Sequence, residues 1–146
     1  MTGYACEASV CALLIGDYTA DRRLVHEMFS RPGWRLFEAR DRRQAVAYLR
    51  RHPVEVVLAE SDIPRWHWKK ILRTLRSLAR PPQLIVTSRT ADEYLWSEVL
   101  NFGAYDVLTQ PLDQEELERV VASARRHFDY QPERARRIAA AAAQVA

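Results

Sequence analysis

Three short apolar runs constrain this chain more than any other feature: Val10 to Ile15 (VCALLI), Val54 to Ala59 (VEVVLA) and Gln83 to Thr87 (QLIVT). Each has the length of a strand and is nearly continuous in apolar residues, the pattern of strands buried on both faces of a parallel sheet. Trp34 to Ala39 (WRLFEA) and Tyr105 to Thr109 read as two further strands. Between them the apolar period changes to that of a helix. Leu24, Val25, Met28 and Phe29 make the first such stretch, ended by Arg31-Pro32-Gly33. Asp41 and Gln44 form a capping-box variant ahead of Ala45, Val46 and Leu49, and that helix stops before His52-Pro53. After Pro64, WHWKKILRTLRSLAR predicts a helix that begins with Trp66 and Trp68, with Trp68, Ile71, Leu72, Leu75 and Leu78 as its stripe. Core is the expected place for Trp68. Thr90 with Glu93 predicts a cap for a fourth helix with Leu95, Val99 and Phe102 inward and Gly103 at its C′ position; Asp113 with Glu116 predicts the cap of a fifth.

Five strand–helix units in alternation predict the α/β class, a five-stranded parallel sheet between two helical layers. The expected domain covers residues 8–129. Residues 130–146 are an Ala-rich helical tail or linker, with Pro132 at a plausible first helical position. At 146 residues one core suffices, and no apolar run approaches the roughly 20 residues of a membrane span. With no signal-peptide pattern at the start, a cytoplasmic protein that makes no membrane contact is expected. Cys6 and Cys11 suggest neither a disulfide framework nor a zinc site, and Cys11 reads as a small buried hydrophobe. The net charge of +3 comes largely from Arg42, Arg43, Arg50, Arg51, Arg73, Arg76 and Arg80. Their intervals fit solvated helix faces. A nucleic-acid footprint needs clustering on one face, which sequence does not show, so nucleic acid is not an expected partner of this domain alone.

The candidate site begins at Glu55 to Pro64, EVVLAESDIP, where a strand delivers Glu60 and Asp62 to the carboxyl edge of the sheet, the edge at which open α/β sheets collect ligands. Glu60 and Asp62 as a general acid and base lack an accompanying nucleophile. His26, His52, His67 and His127 have no ligand spacing and read as surface residues.

Together LLIGDYTADRRLV, GWRLFEARDRRQAVAYL, VEVVLAESDIP, LIVTS and NFGAYDVLTQPLDQEEL resemble, in order and spacing, the receiver domain of two-component response regulators. The resemblance covers about Val10 to Phe128 and implies a flavodoxin-like, CheY-like (βα)5 three-layer sandwich with a C-terminal helical extension. It implies a phosphorelay signalling role, a pocket with two acids after the first strand, a phosphoacceptor aspartate, a hydroxyl and a lysine, and Mg²⁺ held by the acids. Carried over, these positions are Gly16 and Asp17, Glu60, Thr87 and Gln110, with Val107 at the aromatic position of the last strand. Asp17, Pro64, Thr87 and Pro111 match. Glu60 is one C–C bond, about 1.5 Å, longer than aspartate, and misplacement by ~1 Å can cost on the order of 100-fold in rate. Gln110 gives up the charge-assisted bond of a lysine, and Gly16 supplies no carboxylate. Asp17 and Glu60 remain weak metal candidates, with no cofactor expected beyond weak Mg²⁺.

These departures imply an atypical or degenerate receiver, a pseudo-receiver, that is not an enzyme and acts through protein contacts. Two readings of Glu60 stand open: a phosphomimic that accepts hydrogen bonds from Thr87 and Gln110, or a vestigial solvated carboxylate. The expected partner is a kinase, an effector domain, another receiver or a second copy, met through the fourth helix, fifth strand and fifth helix. Tyr94, Trp96 and Tyr105 are the candidate surface, and at least one of Tyr94 and Trp96 is expected to be exposed. The competing classes are a ligand-binding or enzymatic flavodoxin-like domain, against which GDYTAD offers no glycine-rich phosphate loop, and a nucleic-acid module using the Arg-rich helices.

Overall fold

The computed structural model describes residues 9–145, with side chains as far as residue 130. Cys6 and the expectations at the N-terminus lie outside the described residues. In chain order the elements are β1 (Val10–Ile15), α1 (Arg22–Met28), β2 (Trp34–Ala39), α2 (Arg42–Arg51), β3 (Val56–Glu60), β4 (Asp62–Ile63), β5 (Trp66–His67), α3 (Trp68–Arg76), β6 (Gln83–Ser88), α4 (Glu93–Asn101), β7 (Asp106–Thr109) and α5 (Gln114–Val145). Five of the strands form one parallel sheet in the order β2-β1-β3-β6-β7. This is the flavodoxin-like arrangement that the alternation and the resemblance imply.

Strand alternation divides the interior. Cys11, Leu13 and Ile15 of β1 pack on one face with Ala45 and Leu49 of α2, Ile71 and Leu75 of α3 and Val99 of α4. Val10, Ala12 and Leu14 face the other way, onto Val25 and Met28 of α1 and Leu117 and Val121 of α5. Both faces of the sheet are therefore covered, and β1 and β6 are buried along their whole length. Trp68 is fully buried, as expected. At roughly 25 cal/mol per Å² its ring contributes at most ~4–6 kcal/mol of transfer free energy. Cys11 is a buried free thiol, and desolvation raises its pKa.

The third helix starts later than its apolar stripe suggests. Trp66 belongs instead to a two-strand hairpin, in which Asp62 pairs with His67 and Ile63 with Trp66. Pro64 and Arg65 make its turn; proline presets the first turn position and Arg65 takes the left-handed value, φ 66°, that the second position of a type II turn requires. The helix then opens at His67, whose Nδ1 accepts from Lys69 N at 3.3 Å.

The fourth helix is capped by Asp92, not Thr90. Ser88 Oγ accepts from Thr90 N at 3.2 Å and holds that residue in the preceding turn, so the cap moves on to Asp92, whose Oδ1 accepts from Leu95 N at 2.8 Å. Asp92→Ala is expected to lower stability by about 1 kcal/mol, read as a shift in the urea midpoint at constant slope, whereas Thr90→Ala leaves it nearly unchanged. At the other end Gly103, φ 95°, closes a Schellman motif: its N–H bonds Leu100 O and that of Ala104 bonds Val99 O. Phe102, expected inward, is 46% exposed, because it is the C-cap and its ring lies edge-on to Trp68 beside the helix end.

Asp41 and Asp113 cap α2 and α5 as expected, accepting from Gln44 N and Glu116 N. The last helix is continuous from Gln114 to Val145. The Ala-rich stretch thus extends α5 and does not begin afresh at Pro132, in keeping with alanine's high helix propensity. Among the described residues no helix is long and apolar enough to cross a membrane.

Candidate functional site

The register brings the expected residues to one edge. Ile15 pairs with Ala59, Glu60 with Thr87 and Ser88 with Thr109, so Gly16, Asp17, Glu60, Thr87 and Gln110 meet outside the carboxyl ends of β1, β3, β6 and β7. The side chains there are already bonded among themselves. Glu60 Oε1 accepts from Asp17 N at 2.8 Å. A Cβ on Gly16 would overlap that oxygen and lie 2.9 Å from Glu60 Cγ and Cδ. Glu60 therefore occupies the space that a side chain at position 16 would need, beside a residue whose φ of 129° also favours glycine.

Two residues that sequence reasoning passed over complete the site. Tyr18, next to Asp17 in the β1–α1 loop, sits at φ 47°, a left-handed value that bulky residues seldom take. Its side chain is fully buried, and its hydroxyl shares a 2.6 Å hydrogen bond with that of Thr87. Burial, with the carboxylates of Glu60 and Asp21 nearby, pushes the phenol pKa well above its ordinary value, while the bond to Thr87 pulls the other way. Asp21, also buried, accepts from Gln110 Nε2 at 3.2 Å and from Leu112 N at 3.0 Å. It holds the β7–α5 turn, where Gln110-Pro111 is a cis peptide, against the start of α1. One signal was available: an aspartate just before a helical period reads as a cap, yet Asp21 makes no side-chain cap.

The phosphomimic arrangement is not the one adopted, since Thr87 and Gln110 bond Tyr18 and Asp21 and not Glu60. The donor set does not suit Mg²⁺ either. Gly16 offers no carboxylate, one oxygen of Glu60 is engaged by a backbone N–H, and no three His, Cys, Asp or Glu side chains among the described residues are grouped to hold a metal.

Val107, at the aromatic position, is buried and lines a cleft between α4 and β7 with Ala91, Asp92 and Trp96. Tyr94 and Trp96 are both exposed, at 74% and 52%. Tyr105 is held differently, with its hydroxyl on Ser123 Oγ and its ring 5.5 Å from His127. The histidines stay apart: His26 meets Glu38, His52 stacks on Phe37 and His67 caps α3.

A family model described as the response regulator receiver domain matches residues 12–122. The chain belongs to this family. Among curated proteins it is similar to response regulator GtcR of Aneurinibacillus migulanus, 27% identical over 121 residues that cover 81% of this chain and 49% of that protein. The chain thus spans about half the length of that relative. It is also similar to sporulation initiation phosphotransferase F of Bacillus subtilis, 23% identical over 75% of this chain and 88% of that protein. Among solved structures, the signal receiver domain of an HD domain-containing protein from Pseudomonas fluorescens superposes with a TM-score of 0.73 at 22% identity, covering 84% of this chain and 99% of that one. That likeness concerns the fold. The chain is a two-component receiver domain.

Proposed function

We propose that this receiver has left the phosphorylation cycle and signals through protein contacts in a single resting state, its phosphoryl pocket filled by its own side chains. The observation that carries the reading is the Tyr18–Thr87 bond, because the hydroxyl that would meet a phosphoryl oxygen is buried and engaged. Phosphoryl transfer is catalysed by positioning and charge neutralisation. Glu60 turned onto Asp17 N, and Gln110 in place of a cation, provide neither. Glu60 on this reading is an internal filler more than a mimic of the phosphorylated state.

The surface offered to a kinase, an effector domain or another receiver is α4 with the cleft beside it, where Trp96 borders Val107 and Tyr94 stands exposed on the same helix; exposed aromatics are the side chains from which interface hot spots are built. Tyr105 contributes less, being tied to α5. The helical stretch from residue 130 is then a linker that leads on from α5. No catalysis of its own is assigned to the domain. Incubation with a small acyl-phosphate donor and Mg²⁺ should leave the intact mass unchanged. A stable gain of one phosphate on Glu60 would overturn the proposal.

A further inference from the structure

Charge is divided very unevenly over this fold. The stretch from Arg40 to Pro53, which contains α2, holds five arginines and one acid, and the stretch from Arg65 to Pro82, which contains α3, holds four arginines, two lysines and no acid. Half of the chain's 22 Lys and Arg residues thus stand here with one of its 19 acids. Both helices pack on the same face of the sheet and share one core. Their cations are outside it: Arg40, Arg42, Arg43, Arg50, Arg51, Arg65, Lys70, Arg73, Arg76 and Arg80 are all exposed. Among the described residues Lys69, which meets Glu98, is the one member of the set in a salt bridge.

Two depressions mark this face. On the outer side of α2, Arg42, Arg43 and Arg50 surround Val46 and Ala47. Beside the β4–β5 hairpin, Arg65, His67 and Lys70 line a second one with Asp62 and Trp66. Arg65 and Lys70 thus stand at one depression and Arg42, Arg43 and Arg50 at the other.

We propose that the α2–α3 face binds the phosphate backbone of double-stranded nucleic acid. Three observations select this occupant. The large exposed apolar side chains of the described residues, Tyr94, Trp96, Phe102 and Tyr130, are on α4, its C-cap and α5, so neither α2 nor α3 has the apolar anchor on which a protein interface is built. The same lack removes the stacking platform that single strands need. The apolar sides of α2 and α3 are committed to the core, so neither helix can insert into a lipid surface. What remains is a set of guanidinium groups, whose planar forks suit phosphate oxygens. Binding of this kind is independent of base sequence and steeply salt-dependent.

The test is fluorescence anisotropy of a labelled duplex of arbitrary sequence titrated with the full chain between 50 and 200 mM salt. Binding that weakens linearly in log–log form with salt is expected, with each lost phosphate contact reducing the slope by about 0.9. The triple variant Arg42→Gln, Arg43→Gln, Arg50→Gln should bind roughly tenfold or more weakly at the lowest salt. The control Arg126→Gln, an exposed arginine on α5, should bind as the parent does. Coincident thermal melts of parent and variants establish that the fold is kept. Absence of duplex binding at 50 mM salt, equal binding by the triple variant, or binding to phosphatidylserine vesicles or an acidic peptide in preference to the duplex each overturns the proposal.

Discussion

Tyr18→Ala is expected to lower the free energy of unfolding by roughly 3–5 kcal/mol, the range for deleting a large buried aromatic, measured by urea titration at neutral pH. The residue is fully buried between the sheet and the start of α1, so water does not simply replace it. Tyr18→Phe separates the ring from the hydroxyl. It should cost about 1–3 kcal/mol, because Thr87 Oγ1 would keep only its 3.5 Å approach to Ala59 O. The two variants also differ from the parent in alkali. Burial holds the folded phenol pKa far above its ordinary value, whereas the unfolded tyrosine titrates near 10. Below about pH 10 both states keep the proton and the contribution of Tyr18 is intact. Above that, the unfolded state releases a proton that the folded state retains, and stability falls by up to ~1.4 kcal/mol per pH unit. Tyr18→Phe should lose this part of the alkaline slope. An unchanged slope in the variant would show that Tyr18 does not titrate differently in the two states.

Gly16→Asp, which places an acid where the resemblance implies one, is expected to destabilise and not to repair. Backbone strain at φ 129° should cost roughly 1–3 kcal/mol, and overpacking against Glu60 a similar amount. Glu60→Asp in the same chain should relieve the second part and not the first. A double-mutant cycle by urea denaturation therefore gives a favourable coupling of about 1–3 kcal/mol between the two substitutions. Additive effects would mean that the side chain of Glu60 moves aside at no cost.

The centre of the sheet was readable from sequence because β1, β3 and β6 are buried on both faces, so three apolar runs of strand length survive without needing any partner to be known. Gly103 and Asp113 were readable because their bonds are local, spanning three to five residues. What escaped depends on the far side of a contact. Trp66 and Trp68 both fit the start of a helical stripe, and only the pairing of Ile63 with Trp66 separates them. Tyr18 takes a conformation usually signalled by glycine or asparagine, so GDYTAD carries no mark of a left-handed turn, and Thr87, whose hydroxyl shares its hydrogen bond, is 69 residues away. Asp21 reaches its partners over a similar distance. The five pocket positions could be named by resemblance, but who bonds whom could not. The arginines were countable, yet their gathering on one side of the sheet is a property of the crossovers.

Arg76 donates to the carbonyl of Phe102 and fills the space beside Gly103 that a Cβ would need. One guanidinium therefore belongs both to the basic side of the molecule and to the last turn of α4, the helix that displays Tyr94 and Trp96. A guanidinium has several N–H donors, so the bond to Phe102 takes one and leaves the others, with the charge, to the basic side; Arg76→Ala would remove a brace of the α4 end and one exposed cation in a single step.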